Sequence, residues 1–346
     1  MNNPSNKIWQ LIADLNKKVG ISEIIINRPD AIFVEVQGEI IRLDFSVSDA
    51  DIEEFVQDVA ASNRRDFGPG APILDGNLPD GSRINIISKD YTKVSHTITI
   101  RRYSKAIKTF EGSPGIFGLN PQMVTLLKAM IRARFNIMVA GGTGVGKTTF
   151  MNLMLHEISQ KDRIITIEDT RELQLSQPNV VRLEAKPGFG DMIGLTQRDL
   201  VKNTLRMRPD RIVVGEVRGA EAFDLLQAMN TGHEGTIASI HANSPGECMI
   251  RLENLFMLAG YDLPMKALRY QISEAIDFIV QIKRDKNGHR LISQITEITG
   301  MEGERITMQD LAATKNGEFK LTGLVPASFE RLIESGGVSK EFFLNT

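Results

Sequence analysis

The spacing of apolar positions changes along the chain. In its first part, short apolar runs broken by turn residues predict a small α+β module. Ile8 to Val19 reads as a short amphipathic helix, and Ile24–Asn27, Phe33–Gln37 and Glu39–Leu43 read as strands. The Val36-Gln-Gly-Glu39 junction suggests a hairpin. Asp49 to Arg65 reads as a helix opened by Ser48 or Asp49, with acids in its first turn. Asp75-Gly76 and Asp80-Gly81 punctuate short strands that end in Thr97-Ile-Thr-Ile-Arg-Arg102. Residues 103–120, with Glu111-Gly-Ser-Pro-Gly115, read as a linker after a domain of residues 1–102.

Beyond the linker, residues 121–346 show strand–helix alternation, the signature of a mainly parallel sheet covered on both faces. The predicted strands are Ile137–Ala140, Ile164–Ile167, Val180–Leu183, Ile212–Gly215, Thr236–Ile240 and Phe278–Ile282. Helices are predicted at Thr148–Ser159, Thr196–Met207 and Ala220–Asn230. Capping boxes are read at Thr196-x-x-Asp199 and Ser244-Pro-Gly-Glu247, the latter opening a further helix. Ligands in such sheets sit at the carboxyl ends of the strands.

The first of those strand ends carries the sharpest chemistry. Asn136-Ile-Met-Val-Ala runs into Gly141, Gly142, Thr143, Gly144, Val145 and Gly146, then Lys147, Thr148 and Thr149. The glycines let successive N–H groups turn inward and form a concave anion site at a helix N-terminus. Lys147 is placed to reach β- and γ-phosphates and the Thr148 hydroxyl to ligate Mg²⁺. The segment predicts a nucleoside triphosphate as ligand, with ATP as substrate.

Three other strand ends supply partners. In Arg163-Ile-Ile-Thr-Ile-Glu168-Asp169-Thr-Arg-Glu172, Glu168 is the first candidate to orient or deprotonate the attacking water and Glu172 the runner-up. Asp210-Arg-Ile-Val-Val-Gly-Glu216 has the form of a Walker B element, with Glu216 holding Mg²⁺ through water. In Thr231-Gly-His233 to His241-Ala-Asn243, His241 ends a strand where it can donate to a γ-phosphate oxygen. Arg101, Arg102, Arg206 and Arg208 are the candidate arginines, each with a surface ion pair as the alternative reading.

Composition narrows this picture without redirecting it. The 346 residues are 42% apolar and 24% charged, with a formal charge of −2, which gives no net pull toward nucleic acid. The low aromatic content also disfavours a helicase with base-stacking platforms. Neither a signal peptide nor an apolar run of about 18 residues is read, and the single Cys248 fits a reducing cytoplasm as a buried structural thiol.

With these segments assembled, the chain resembles the secretion-superfamily ATPases of type II secretion, type IV pili and type IV secretion. Walker A (Gly141–Thr148), Asp box (Glu168–Glu172), Walker B (Val213–Glu216) and His box (Gly232–His241) stand in that order. Within the superfamily it is most similar to CpaF, the motor of Tad (Flp-type) pili. The similarity lies in Pro72–Asn85, Thr97–Arg101, Leu205–Asp210, Gln227–His233 and Ile295–Gly303. The resemblance implies a RecA-like nucleotide domain behind a small α+β domain, and a homohexamer. It also implies ATP between the two domains, reached by Arg101 and Arg102, with Arg206 and Arg208 as a second pair and His233 in the His box. An inner-membrane platform protein is the implied partner, with the motor cytoplasmic and peripheral at that membrane. No tetracysteine motif is present, so no zinc is expected. The N-terminal module starts almost at residue 1, short for CpaF, and a type IV secretion traffic ATPase is the alternative.

Overall fold

The computed structural model describes residues 5–18, 20–36, 38–102, 109–186, 188, 193–315, 318–334 and 337–344. Val19, Gln37 and linker positions 103–108, which the sequence reading includes, lie outside the described residues. The chain divides into two units, Met1–Ala106 with Gly188–Ile193, and Ile107–Pro187 with Gly194–Thr346.

In the first unit, α1 (Lys7–Asn16) leads to β1 (Ile21–Arg28), β2 (Ala31–Val36) and β3 (Glu39–Arg42). Helix α2 (Asp49–Asn63) follows, then β4 (Ile73–Asn77), β5 (Arg83–Ile87), the short α3 (Lys89–Thr92) and β6 (Thr97–Arg101). The strands form an antiparallel sheet in the order β3-β2-β1-β6-β5-β4. The expected hairpin is present, with Val36 opposite Glu39. Alternate isoleucines, Ile24 and Ile26, Ile84 and Ile86, Ile98 and Ile100, point to one face and are fully or almost fully buried. Helices α1 and α2 supply Trp9 and Phe55 to the same core, their rings 4.7 Å apart. Ser48 and Asp51 close a reciprocal capping box at the start of α2.

The second unit begins within the segment read as linker. Phe110, Phe117 and Leu119 are buried in its core, so residues 109–120 are packed chain rather than a free connection. Asn120 caps α4 (Pro121–Arg132), a helix the sequence reading misses. Next come β7 (Ile137–Gly141), α5 (Lys147–His156), β8 (Ile164–Glu168), β9 (Val180–Glu184) and α6 (Gln197–Thr204). They are followed by β10 (Arg211–Val217), α7 (Glu221–Met229), β11 (Ile237–Ile240), α8 (Pro245–Leu258), α9 (Met265–Ala275) and β12 (Phe278–Arg284). The chain closes with β13 (Arg290–Glu302), β14 (Arg305–Lys315), β15 (Glu318–Leu321), α10 (Phe329–Glu334) and α11 (Lys340–Leu344).

The sheet order is β15-β14-β13-β12-β7-β11-β10-β8-β9. Pairing is parallel from β12 to β9 and antiparallel from β12 through β15, so the mainly parallel sheet carries an antiparallel extension. Strand β7 shows why its sequence is an unbroken apolar run. Ile137 and Val139 face one core with Phe150, Met151 and Met154 of α5. Met138 and Ala140 face the other, with Leu225 of α7 and Leu252 of α8. Cys248 is fully buried in that second core. Thr196 and Asp199 form the expected capping box. At α8 only half of one forms: Ser244 accepts from the Glu247 N–H, while the Glu247 carboxylate accepts from Asn243 N–H at 3.0 Å.

Candidate functional site

The glycine-rich loop leaves β7 at Gly141 and enters α5 at Lys147. Gly144 and Gly146 adopt φ of 71° and 97°, the left-handed region that favours glycine. A Cβ on Gly141 would lie 2.8 Å from the Ile282 carbonyl oxygen, and one on Gly146 would lie 3.2 Å from the Phe117 ring. The tight curl therefore depends on both residues. Arg284, from β12, donates to the Gly144 carbonyl at 2.8 Å and steadies the loop from the neighbouring strand. Lys147 is buried, and its Nζ donates to the Gly141 and Gly142 carbonyls at 3.0 Å each. Thr148 and Thr149 share the first turn of α5 with it. Beside the loop, Gly142, Thr143, His241, Asn243 and Arg251 help line an open cavity of about 450 Å³.

Three of the predicted side chains meet at this edge because β7, β11 and β10 are neighbours running the same way. His241 Nε2 lies 2.7 Å from Glu216 Oε1 and 3.4 Å from Lys147 Nζ. The Lys147 ammonium can only donate, so its hydrogen bond makes Nε2 an acceptor and puts the ring proton on Nδ1, while Glu216 Oε1, though close, is buried without a hydrogen-bond partner. Partial burial, then the Lys147 charge, hold the imidazole below its ordinary pKa and so neutral.

Glu168 ends β8, next to β10, and is buried. Its Oε1 accepts from the Glu172 and Leu173 N–H groups at 2.8 and 2.9 Å, while Oε2 is buried without a hydrogen-bond partner. Burial pushes the carboxyl up to about 7, against the pull of those two amides. Its Cγ rests where a Cβ on Gly215 would lie 3.0 Å away, which accounts for the glycine before Glu216. Glu172 is half-buried, and its backbone N–H serves Glu168.

Other candidates fall elsewhere. Arg206 and Arg208 are exposed and precede β10, at the amino edge of the sheet. His233 precedes β11 on that same edge, its Nδ1 3.2 Å from the Ala228 carbonyl in a turn. A strand's length, on the order of 15–20 Å, separates that edge from the glycine-rich loop. These three therefore do not join the loop within one chain. Arg102 donates to Asn16 Oδ1 and to the Asn16, Lys18 and Ile21 carbonyls, a structural tie inside the first unit. Arg101 ends β6 in that unit, exposed, opposite Glu23 and Arg83. Sequence reading assigns nothing to Arg218, Arg284 or Arg251. Only Arg218 has a sequence signal, since it follows Glu216 by two residues, one position past the end of β10.

The residues present fit a magnesium–nucleotide group. The cradle is tight against a Cβ at Gly141 and Gly146, a lysine and a threonine follow at a helix start, and Glu168, at the end of β8, has an unpartnered buried oxygen. Fold and site together define a P-loop nucleotide-binding protein.

The chain belongs to the Type II/IV secretion system protein family, whose model matches residues 7–315. It is 32% identical over 289 residues to the conjugal transfer protein TrbB of Rhizobium radiobacter, covering 82% of this chain and 85% of that one. It is also 32% identical over 290 residues to the type IV secretion system protein PtlH of Bordetella pertussis, covering 76% and 86%. The fold is shared with the pilus retraction motor PilT solved with ADP, at 19% identity and a TM-score of 0.61 over 95% of this chain and 87% of that one. Among the described residues no helix is long and apolar enough to cross a membrane.

Proposed function

We propose that this chain is an ATP-hydrolysing motor that works as a homohexamer at the cytoplasmic face of an inner membrane. The observation that carries the reading is the convergence of Lys147, His241 and Glu216 at the mouth of the glycine-rich loop. Loop amides and Lys147 bind the phosphates, and Thr148, with Glu216 through water, would hold Mg²⁺. The ion, when bound, neutralises charge on the phosphates. Glu168 holds and then accepts the proton of the attacking water, its raised pKa matched to that task. His241, beside Lys147 and Glu216, would donate a hydrogen bond to a terminal phosphate oxygen and so sense whether that group is present.

For the machine it serves, resemblance of Pro72–Asn85 and the segments after it to CpaF favours a Tad-type pilus, driven through an inner-membrane platform protein. A second reading, a type IV secretion traffic ATPase, is favoured by the names of the relatives TrbB and PtlH. Lys147→Ala and Glu216→Gln test the enzyme. Each is expected to lower turnover of ATP at least a hundredfold, and full activity in either defeats the site. Deleting the gene separates the machines, since loss of surface pili with DNA or protein transfer intact supports the first reading and the reverse supports the second.

A further inference from the structure

The carboxyl edge carries a polar chain that follows the strand order and extends past the residues already discussed. Lys147 after β7 approaches His241 after β11, and His241 approaches Glu216 on β10. Glu216 Oε2 then accepts from Arg218 Nη2 at 2.6 Å, and Arg218 Nη1 lies 3.4 Å from Asp169 Oδ2, just beyond β8. Four neighbouring strands are linked at one edge, and Arg218 is the link between the Walker B and Asp-box acids.

Arg218 is held for that purpose by its own backbone. Its N–H and that of Gly219 both donate to Glu221 Oε1, at 2.6 and 2.7 Å, and Glu221 is buried in the first turn of α7. A Cβ at position 219 would lie 3.0 Å from the other Glu221 oxygen, so the turn is fitted to glycine. The guanidinium is half-exposed, and a pair of that kind with an exposed partner contributes little to stability. Glu216 is not such a partner, because its side chain is only 16% exposed and its other oxygen faces His241. A guanidinium can meet two carboxylates in fixed directions at once, which an ammonium cannot.

We propose that Arg218 is a positioning residue for ATP hydrolysis, fixing the Glu216 carboxylate between His241 and the Asp box through its bridge to Asp169. The proposal rests on the ATPase reading above. Arg218 has no bond to the glycine-rich loop among the described residues, so it is expected to govern turnover rather than nucleotide grip.

The test compares Arg218→Met, Arg218→Lys, Asp169→Asn and the Arg218→Met/Asp169→Asn double variant with the parent chain. Steady-state ATPase activity, affinity for a fluorescent ATP analogue with magnesium, and melting temperature are measured for each. Arg218→Met is expected to lower kcat roughly ten- to hundredfold while the Kd stays within about twofold. Arg218→Lys, which keeps charge but loses the fork, is expected to fall between. The double variant is expected to be no slower than Arg218→Met, since both remove one bridge. A kcat for Arg218→Met within twofold of the parent, or a Kd that rises in step with the loss, overturns the proposal. A parent that turns over no ATP defeats the functional reading itself. A parent that turns over ATP and is silenced by Lys147→Ala, yet is indifferent to Arg218→Met, defeats only this inference.

Discussion

Glu168→Gln tests whether a buried carboxyl at the end of β8 is kept at a cost to folding. In the folded chain its pKa is pushed up to about 7 from an ordinary 4.5, chiefly by burial. The folded state therefore binds the proton more tightly than the unfolded state, and stability falls as pH rises between those two values. Below the unfolded value both forms are protonated and the group is neutral in its effect. Well above pH 7 both are ionised, and the folded state is weakened by about 3 kcal/mol. Gln keeps an acceptor for the Glu172 and Leu173 amides but cannot ionise. Its amide nitrogen has no partner where Oε2 lies, a fixed loss of about 1–3 kcal/mol at every pH. The offset between parent and variant is thus uninformative, and its pH dependence carries the test. Chemical melts at a series of pH values are expected to show the variant gaining on the parent by about 3 kcal/mol between pH 4 and 8.5. By calorimetry that gain is roughly 6–12 °C if the C-terminal unit melts cooperatively. A difference that stays flat across the range refutes the raised pKa and, with it, the account of how this acid is matched to its proton. Turnover in the variant is expected to fall at least a hundredfold at pH 8.

Gly146→Ala places a Cβ in the left-handed region, 3.2 Å from the Phe117 ring. It is expected to destabilise by about 1–3 kcal/mol and to weaken nucleotide binding at least tenfold by titration. The Cys248 thiol is fully buried and pushed up to about 12 by that burial, so an aromatic disulfide reagent is expected to label it only on unfolding, with rapid labelling of native protein as the contrary result. Because Arg206 and Arg208 are at the far edge of the sheet from their own loop, any action on a triphosphate has to be on another subunit's. Mixing inactive Lys147→Ala and inactive Arg208→Ala chains is then expected to restore part of the ATPase activity, and no recovery across all ratios counts against that role.

The parallel core is legible in the sequence because its central strands are buried on both faces and so appear as unbroken runs, as at Ile137–Ala140 and Ile212–Val214. The antiparallel extension is not legible, because β13 and β14 bury polar groups that partner one another. Thr296 donates to Asp310, and Glu297 accepts from Gln309 and from the Ala327 and Ser328 amides. A buried carboxylate answered from residues 30 positions away leaves no local hydrophobic signal. Helix α4 carries its own local signals, Asn120 as cap, Pro121 in its first turn and Met123, Leu126, Leu127 and Met130 at helical spacing. What the sequence hides is the packing just before it, where glycines at 112, 115 and 118 read as open chain although Phe117 turns inward with a φ of 57° and packs on Phe150. For the site, residues placed at strand ends by the sequence pattern meet as the strand order brings them together. Bridges such as Arg218 depend on neighbours from another strand, and its spacing from Glu216 identifies the strand end it follows but not its partners.

Strand polarity explains which candidates meet and which do not. In a parallel sheet every strand delivers its last residue to one edge, so an acid ending β8, an acid near the end of β10 and an imidazole after β11 come to that same edge without any long-range adjustment. Residues just before a strand face the opposite edge by the same geometry, whatever their charge. A sequence motif that spans a strand, as Thr231 to Asn243 does, is therefore split in function: His241 belongs to the loop edge and His233 to a turn that closes on Ala228. Motif membership is weaker grounds for a shared role than which end of the strand a residue occupies.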